Sequence, residues 1–133
     1  MAIANIKVTL QKDIEKVWEI VTSLSNYSWR SDLSKIEILE DGQKFIEYTK
    51  DGYSTNFTIT KFEPMKRYEF HMENSNMSGH WIGLFSKAGN NTEIEFTENV
   101  TPKKWIMKPF AGMYLKKQQA TYISDLKKAL EGK

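Results

Sequence analysis

Apolar residues alternate with polar ones from the start of the chain, at Ala4, Ile6, Val8 and Leu10. A period of two predicts a strand with one buried face. The period then changes. Asp13 is a helix-capping residue type, and Ile14, Val17, Trp18 and Val21 follow at i, i+3, i+4 and i+7. That spacing predicts an amphipathic helix ending near Ser23. A short turn or second helix is expected over residues 24–27.

Alternation resumes over residues 33–40, with Ile36 and Ile38 on one side. Asp41-Gly42 and Asp51-Gly52 are hairpin signals on either side of a third strand at residues 44–50. A fourth strand, 53–63, should stop at Pro64, which has no N–H for a ladder. In the fifth, 67–73, Tyr68, Phe70 and Met72 face one way, and Glu69 and His71 the other. A sixth covers 77–86 and turns at Gly89-Asn90-Asn91. The seventh, 92–100, sets Ile94, Phe96, Glu98 and Val100 on one face.

After Pro102 the period lengthens to near 3.6. Ile106, Phe110, Met113, Ala120, Ile123, Leu126 and Leu130 form a stripe, with Pro109 placed to start or kink the helix. A helix over 108–130 would be about 30 Å long, enough to cross a sheet. The order is strand, helix, a meander of six strands, then one long helix. The outer strand positions are polar, so one side of the sheet is solvated and the other needs a cover. Only the last helix is long and apolar enough to supply it.

A length of 133 residues suits one domain, residues 1–133, with a core that needs no staples. There is no cysteine, which excludes disulfides and thiolate chemistry. With only His71 and His80 besides, no metal site is expected. The first residues lack the basic and apolar regions of a signal peptide, and no apolar run could span a bilayer. A cytoplasmic protein without stable membrane insertion is the expectation. The net charge of +2 gives no reason to expect nucleic acid as a partner. Eight lysines against Asp125 and Glu131 from Thr101 onward predict a basic helix face, either simply solvated or placed to steer anionic ligands or touch a membrane surface. Aromatic residues reach 13%, more than a small core needs, which points to a lined pocket.

Several segments resemble the helix-grip fold of the START/SRPBCC superfamily, which includes birch-pollen-allergen-like proteins, polyketide cyclases and lipid-transfer domains. They are Asp13-Ile14-Glu15-Lys16-Val17-Trp18, Trp29-Arg30-Ser31-Asp32 before Ile36-Glu37-Ile38-Leu39, Gly79-His80-Trp81, Thr92 to Glu98, and Tyr122-Ile123 with Leu126-Lys127. The resemblance covers nearly the whole chain. It implies an α+β fold in which a curved antiparallel sheet of about seven strands wraps a long C-terminal helix, with short helices after the first strand. It does not select an activity, because fold does not fix function.

The inner faces of the sheet and the last helix should line a ligand pocket. Its expected residues are Tyr48, Tyr68, Phe70, Met72, Trp81, Phe85, Phe96, Glu98, Phe110, Met113 and Tyr114. Met72, Met107 and Met113 suit a pocket that adapts to varied apolar shapes. Glu98 shares a face with Ile94, Phe96 and Val100. A carboxyl desolvated there is a candidate general acid or base, unless it reaches solvent or pairs with a lysine of the helix. His71 and His80 should face outward, although Gly79 and Gly83 could permit a bulge that reverses His80. Trp29 is expected beneath the opening helices, with Arg30 and Asp32 bonded to backbone at the strand entrance. No phosphate loop, haem, flavin or nicotinamide site is legible, so no cofactor is expected.

Three functions follow. The first is binding or transport of a small hydrophobic ligand, lipid-like, aromatic or polyketide-like, with residues 101–113 as a lid. The second is a cyclase or hydrolase on a polyketide-like substrate. The third is a protein-interaction module resembling chaperone activators. A monomer or homodimer is compatible with each.

Overall fold

The computed structural model of the chain describes residues 2–104 and 108–131, except the side chains of Lys108 and Phe110. The expected contributions of Ile106, Met107 and Phe110 to a helix stripe or pocket wall lie outside the described residues.

The elements run β1 (Ala2–Leu10), α1 (Ile14–Thr22), β2 (Leu33–Leu39), a short 3-10 turn (Glu40–Gly42), β3 (Lys44–Thr49), β4 (Ser54–Glu63), β5 (Arg67–Glu73), β6 (Met77–Ala88), β7 (Asn91–Pro102) and α2 (Lys108–Glu131). All seven strands join one antiparallel sheet in the order β1-β7-β6-β5-β4-β3-β2. The meander therefore closes on the N-terminal strand, and β1 and β2 are its edges. The long helix lies over β1 and β7. This is the helix-grip α+β arrangement.

Local chemistry explains most boundaries. Asp13 caps α1 by accepting from the Lys16 N–H at 3.3 Å. The helix buries Val17 and Trp18 completely or nearly so. No second helix follows it: residues 24–27 are bends and coil, started where the Ser23 hydroxyl accepts from the Asn26 N–H. Asp41-Gly42 does not make a two-residue hairpin either. Glu40, Asp41 and Gly42 all adopt positive φ, a longer left-handed corner between β2 and β3. Ile36 lines the interior, whereas Ile38, on the same side of β2, is exposed near the outer end of this edge strand.

Curvature comes from irregularities at two places, between Leu33 and Lys35 and between Ile59 and Lys61. Gly79 and Gly83 give no bulge, since β6 keeps its register with both neighbours.

Two polar ties fix α2 on the sheet. The Gln119 side-chain amide donates to the carbonyls of Ala4 at 3.2 Å and Phe96 at 3.3 Å. The Asp125 carboxylate accepts from both the N–H and the hydroxyl of Ser31, each at 2.8 Å. The buried stripe is Leu115, Gln119, Ile123, Leu126 and Leu130, so Met113 and Ala120 fall outside it. Among the described residues, no helix is long and apolar enough to cross a membrane.

Candidate functional site

Between the concave sheet and α2 the chain does not fill its own interior. A cavity of about 460 Å³ remains. That volume lies within the range that suits a small organic ligand.

Aromatic rings form the floor. Trp81 stacks on Phe70, centroids 4.9 Å apart and planes within 4°, and leans on Phe96 at 4.7 Å. The indole lies flat because Gly83, two residues along the same face of β6, has no side chain. A Cβ at Gly83 would stand 2.5 Å from the Trp81 ring, far inside contact distance. Met72, Phe45 and Phe57 continue the apolar wall.

One end of the cavity is charged. Arg30 makes a two-pronged pair with Asp32, Nε to Oδ1 and Nη2 to Oδ2, both at 3.1 Å. Its Nη1 leans on Glu47 Oε2 at 3.5 Å. The guanidinium also sits 4.9 Å from the Tyr122 ring centroid and 5.8 Å from that of Trp29. Burial alone would lower the Arg30 pKa, but Glu47 and Asp32 outweigh it and hold the cation charged. Burial pushes the Glu47 carboxyl up, and Arg30 pulls it partway back. Burial likewise raises the phenols of Tyr68 and Tyr122, so both stay neutral.

Glu98 stands apart from this network. It lines the cavity from β7, opposite Trp81 on β6 and Ala4 on β1. Among the described residues it has no hydrogen-bond or ion-pair partner, and no described lysine side chain lines the cavity with it. Burial and the nearby Glu47 push its carboxyl up to about 7, against a smaller opposing pull from Arg30.

The mouth lies between the hairpin tips and the first turns of α2. Tyr53 and Ser75 hydroxyls meet at 2.9 Å across the β3–β4 and β5–β6 turns, and Asn74 donates to the Thr55 hydroxyl at 3.0 Å. Tyr114 forms part of the opposite rim, 62% exposed, its hydroxyl accepting from Gln118 at 3.0 Å.

The structure places Tyr68, Phe70, Met72, Trp81, Phe96, Glu98 and Tyr114 on the cavity wall. It removes three expected residues. Tyr48 points to the outer face, where its hydroxyl donates to Glu37 at 2.9 Å, because Phe45, Glu47 and Thr49 take the inner positions of β3. Phe85 lies outside the cavity wall, its ring packed against Trp18 of α1 at 4.9 Å. Met113 is 71% exposed on the solvent side of α2. Among the wall residues that sequence reasoning missed are Phe45, Glu47, Phe57 and Tyr122, and the role it gave Arg30 was wrong. Arg30 bonds the side chains of Asp32 and Glu47 rather than backbone. Trp29 bonds backbone through its indole N–H to Asn26 O at 3.1 Å, and its ring meets Tyr122 at 5.4 Å. His71 and His80 are both off the cavity wall, and His80 bonds Glu69 at 3.0 Å.

The family described as polyketide cyclase / dehydrase and lipid transport matches residues 1–131. No curated protein matches the sequence. Among solved structures, a START superfamily protein from Mycobacterium smegmatis superposes with a TM-score of 0.85 at 15% identity, over 99% of both chains. A conserved protein from Geobacillus kaustophilus gives 0.84 at 14% identity, over 98% of this chain and 95% of that one. The Aha1 dimer from Colwellia psychrerythraea gives 0.72 at 19%, over 98% and 97%. At these identities the likeness is one of fold.

Proposed function

Because the chain belongs to the polyketide cyclase / dehydrase and lipid transport family, we propose that it binds a small, largely apolar molecule in the space between sheet and helix. The observation that carries this reading is the cavity of about 460 Å³ walled mainly by aromatic and aliphatic side chains. Burying ~200 Å² of an apolar ligand there contributes about 5 kcal/mol before the cost of association.

The neutral fluorescent probe N-phenyl-1-naphthylamine tests the reading. It should brighten on binding with an affinity on the order of micromolar. Ala111→Trp places an indole into the cavity from α2 and should weaken binding at least tenfold in a protein that still melts cooperatively. A dark probe, or an unchanged affinity in the folded variant, would remove the cavity as a binding site.

A second reading, proton transfer on a polyketide-like substrate, is favoured by Glu98, a carboxyl that titrates near neutrality on an apolar wall. Under it, Glu98→Gln abolishes turnover of a polyketide-like ketone yet leaves binding of the naphthylamine probe intact. Turnover that survives the substitution excludes Glu98 as the acid or base.

A further inference from the structure

The charges around the cavity do not balance. Arg30 is the one cationic side chain among the described residues that line it, while Asp32, Glu47 and Glu98 are all acidic. Arg30 is also already engaged. Its two-pronged edge is closed by Asp32, a further N–H leans on Glu47, and Tyr122 and Trp29 lie close to the guanidinium. An anionic head group entering here meets an excess of negative charge and an Arg fork that is occupied. Glu98 is the reverse case, a carboxyl aimed into the cavity with no donor among the described residues.

We propose that the cavity selects lipophilic amines: ligands with an apolar body and one protonated nitrogen, which pairs with Glu98, and that it discriminates against fatty-acid carboxylates of the same size. This rests on the cavity-binding reading above and deepens it. The amine supplies the positive charge the site lacks. Trp81, beside Glu98 across the ladder, together with Phe96 and Tyr114, offers ring faces that also favour a cation. The remainder of the wall accepts the apolar body.

Protonation couples to binding. Glu98 pairs with a cation only when ionised, and in the empty cavity it holds its proton up to about pH 7. The other titratable groups lining the same space are Tyr27, Arg30, Asp32, Glu47, Tyr53, Tyr68, Tyr114 and Tyr122. Burial raises the phenols of Tyr68, Tyr122 and Tyr114, and these remain neutral through this range. Amine affinity should therefore increase about tenfold between pH 6 and pH 8, following the ionised fraction of a group titrating near 7.

Calorimetric titration of the full chain with octylamine, 1-octanol and octanoate tests the proposal. At pH 8, octylamine should bind at least tenfold tighter than octanoate and several-fold tighter than octanol. Glu98→Gln should weaken octylamine at least tenfold, leave octanol within twofold, and flatten the pH dependence. Octanoate binding as tightly as octylamine, or an octylamine affinity untouched by Glu98→Gln, overturns the amine preference but keeps the cavity as a binding site. No binding of any of the three overturns the cavity reading and this one with it.

Discussion

Replacing Arg30 by methionine is expected to destabilise the protein by about 3 kcal/mol, chiefly because it leaves the largely buried Glu47 carboxylate with no cation, while the half-exposed Asp32 falls back on solvent. Asp32 loses both prongs of its pair, and Glu47 loses its one cationic contact among the described residues. Methionine keeps much of the volume against Trp29 and Tyr122, so the loss reports charge rather than a hole. For a chain of this length, thermal melting at pH 7.5 should show a Tm lower by roughly 10–15 °C. The loss should shrink towards pH 4. Without Arg30 the raised Glu47 pKa rises further, so the fold takes up protons that the unfolded chain does not hold above the ordinary glutamate range, and stability recovers as pH falls. Adding Glu47→Gln to Arg30→Met should restore about half of the loss at pH 7.5. A single variant that melts within a few degrees of the parent would mean that water entering the cavity already screens Glu47.

Glu98→Gln is expected to act in the opposite sense and stabilise the fold at pH 8 by about 2 kcal/mol, or roughly 8 °C in Tm, after allowance for water in the cavity. The sign follows from its titration. A carboxyl raised from 4.5 to about 7 holds its proton in the fold where the unfolded chain has released it. Wild-type stability therefore falls between pH 4.5 and pH 7 on account of this group and is level above that. A glutamine has no such dependence. The two proteins should match in Tm near pH 4.5 and diverge steadily to pH 7, as read by melting curves in a buffer series. Equal Tm values at pH 8 would place Glu98 in contact with bulk water. The expected gain is a mark of a residue retained at a cost to stability, which is common at functional sites.

How much of this was legible beforehand can be judged element by element. Strands and both helices followed from periodicity, because a sheet solvated on one face imposes a clean alternation, as in Tyr68, Phe70 and Met72. The inner face of β3 was misread for a related reason. In Phe45-Ile46-Glu47-Tyr48 both parities contain apolar residues, and a glutamate occupies an inner position. Hydrophobic alternation cannot identify a buried charge. Only its partner can, and Arg30 lies 17 positions away on a loop with no period. The stripe of α2 slipped because Gln119 is polar yet buried, tied to two strand carbonyls, while Met113 and Ala120 are apolar yet exposed. Phe85 was misassigned because its face of β6 serves two packing partners, Trp18 towards α1 and the cavity elsewhere.

The flat Trp81 ring over Gly83 sets the depth of the bowl by the width of one hydrogen atom. Any larger residue at that position lifts the indole off the strand and into the space above it. A bulkier side chain there would shorten the space above the strand in one step and would also crowd Glu98, which faces Trp81 across the ladder. Size and polarity at this floor are therefore set on neighbouring strands, β6 and β7, and are coupled, because Trp81 stands directly across the ladder from Glu98.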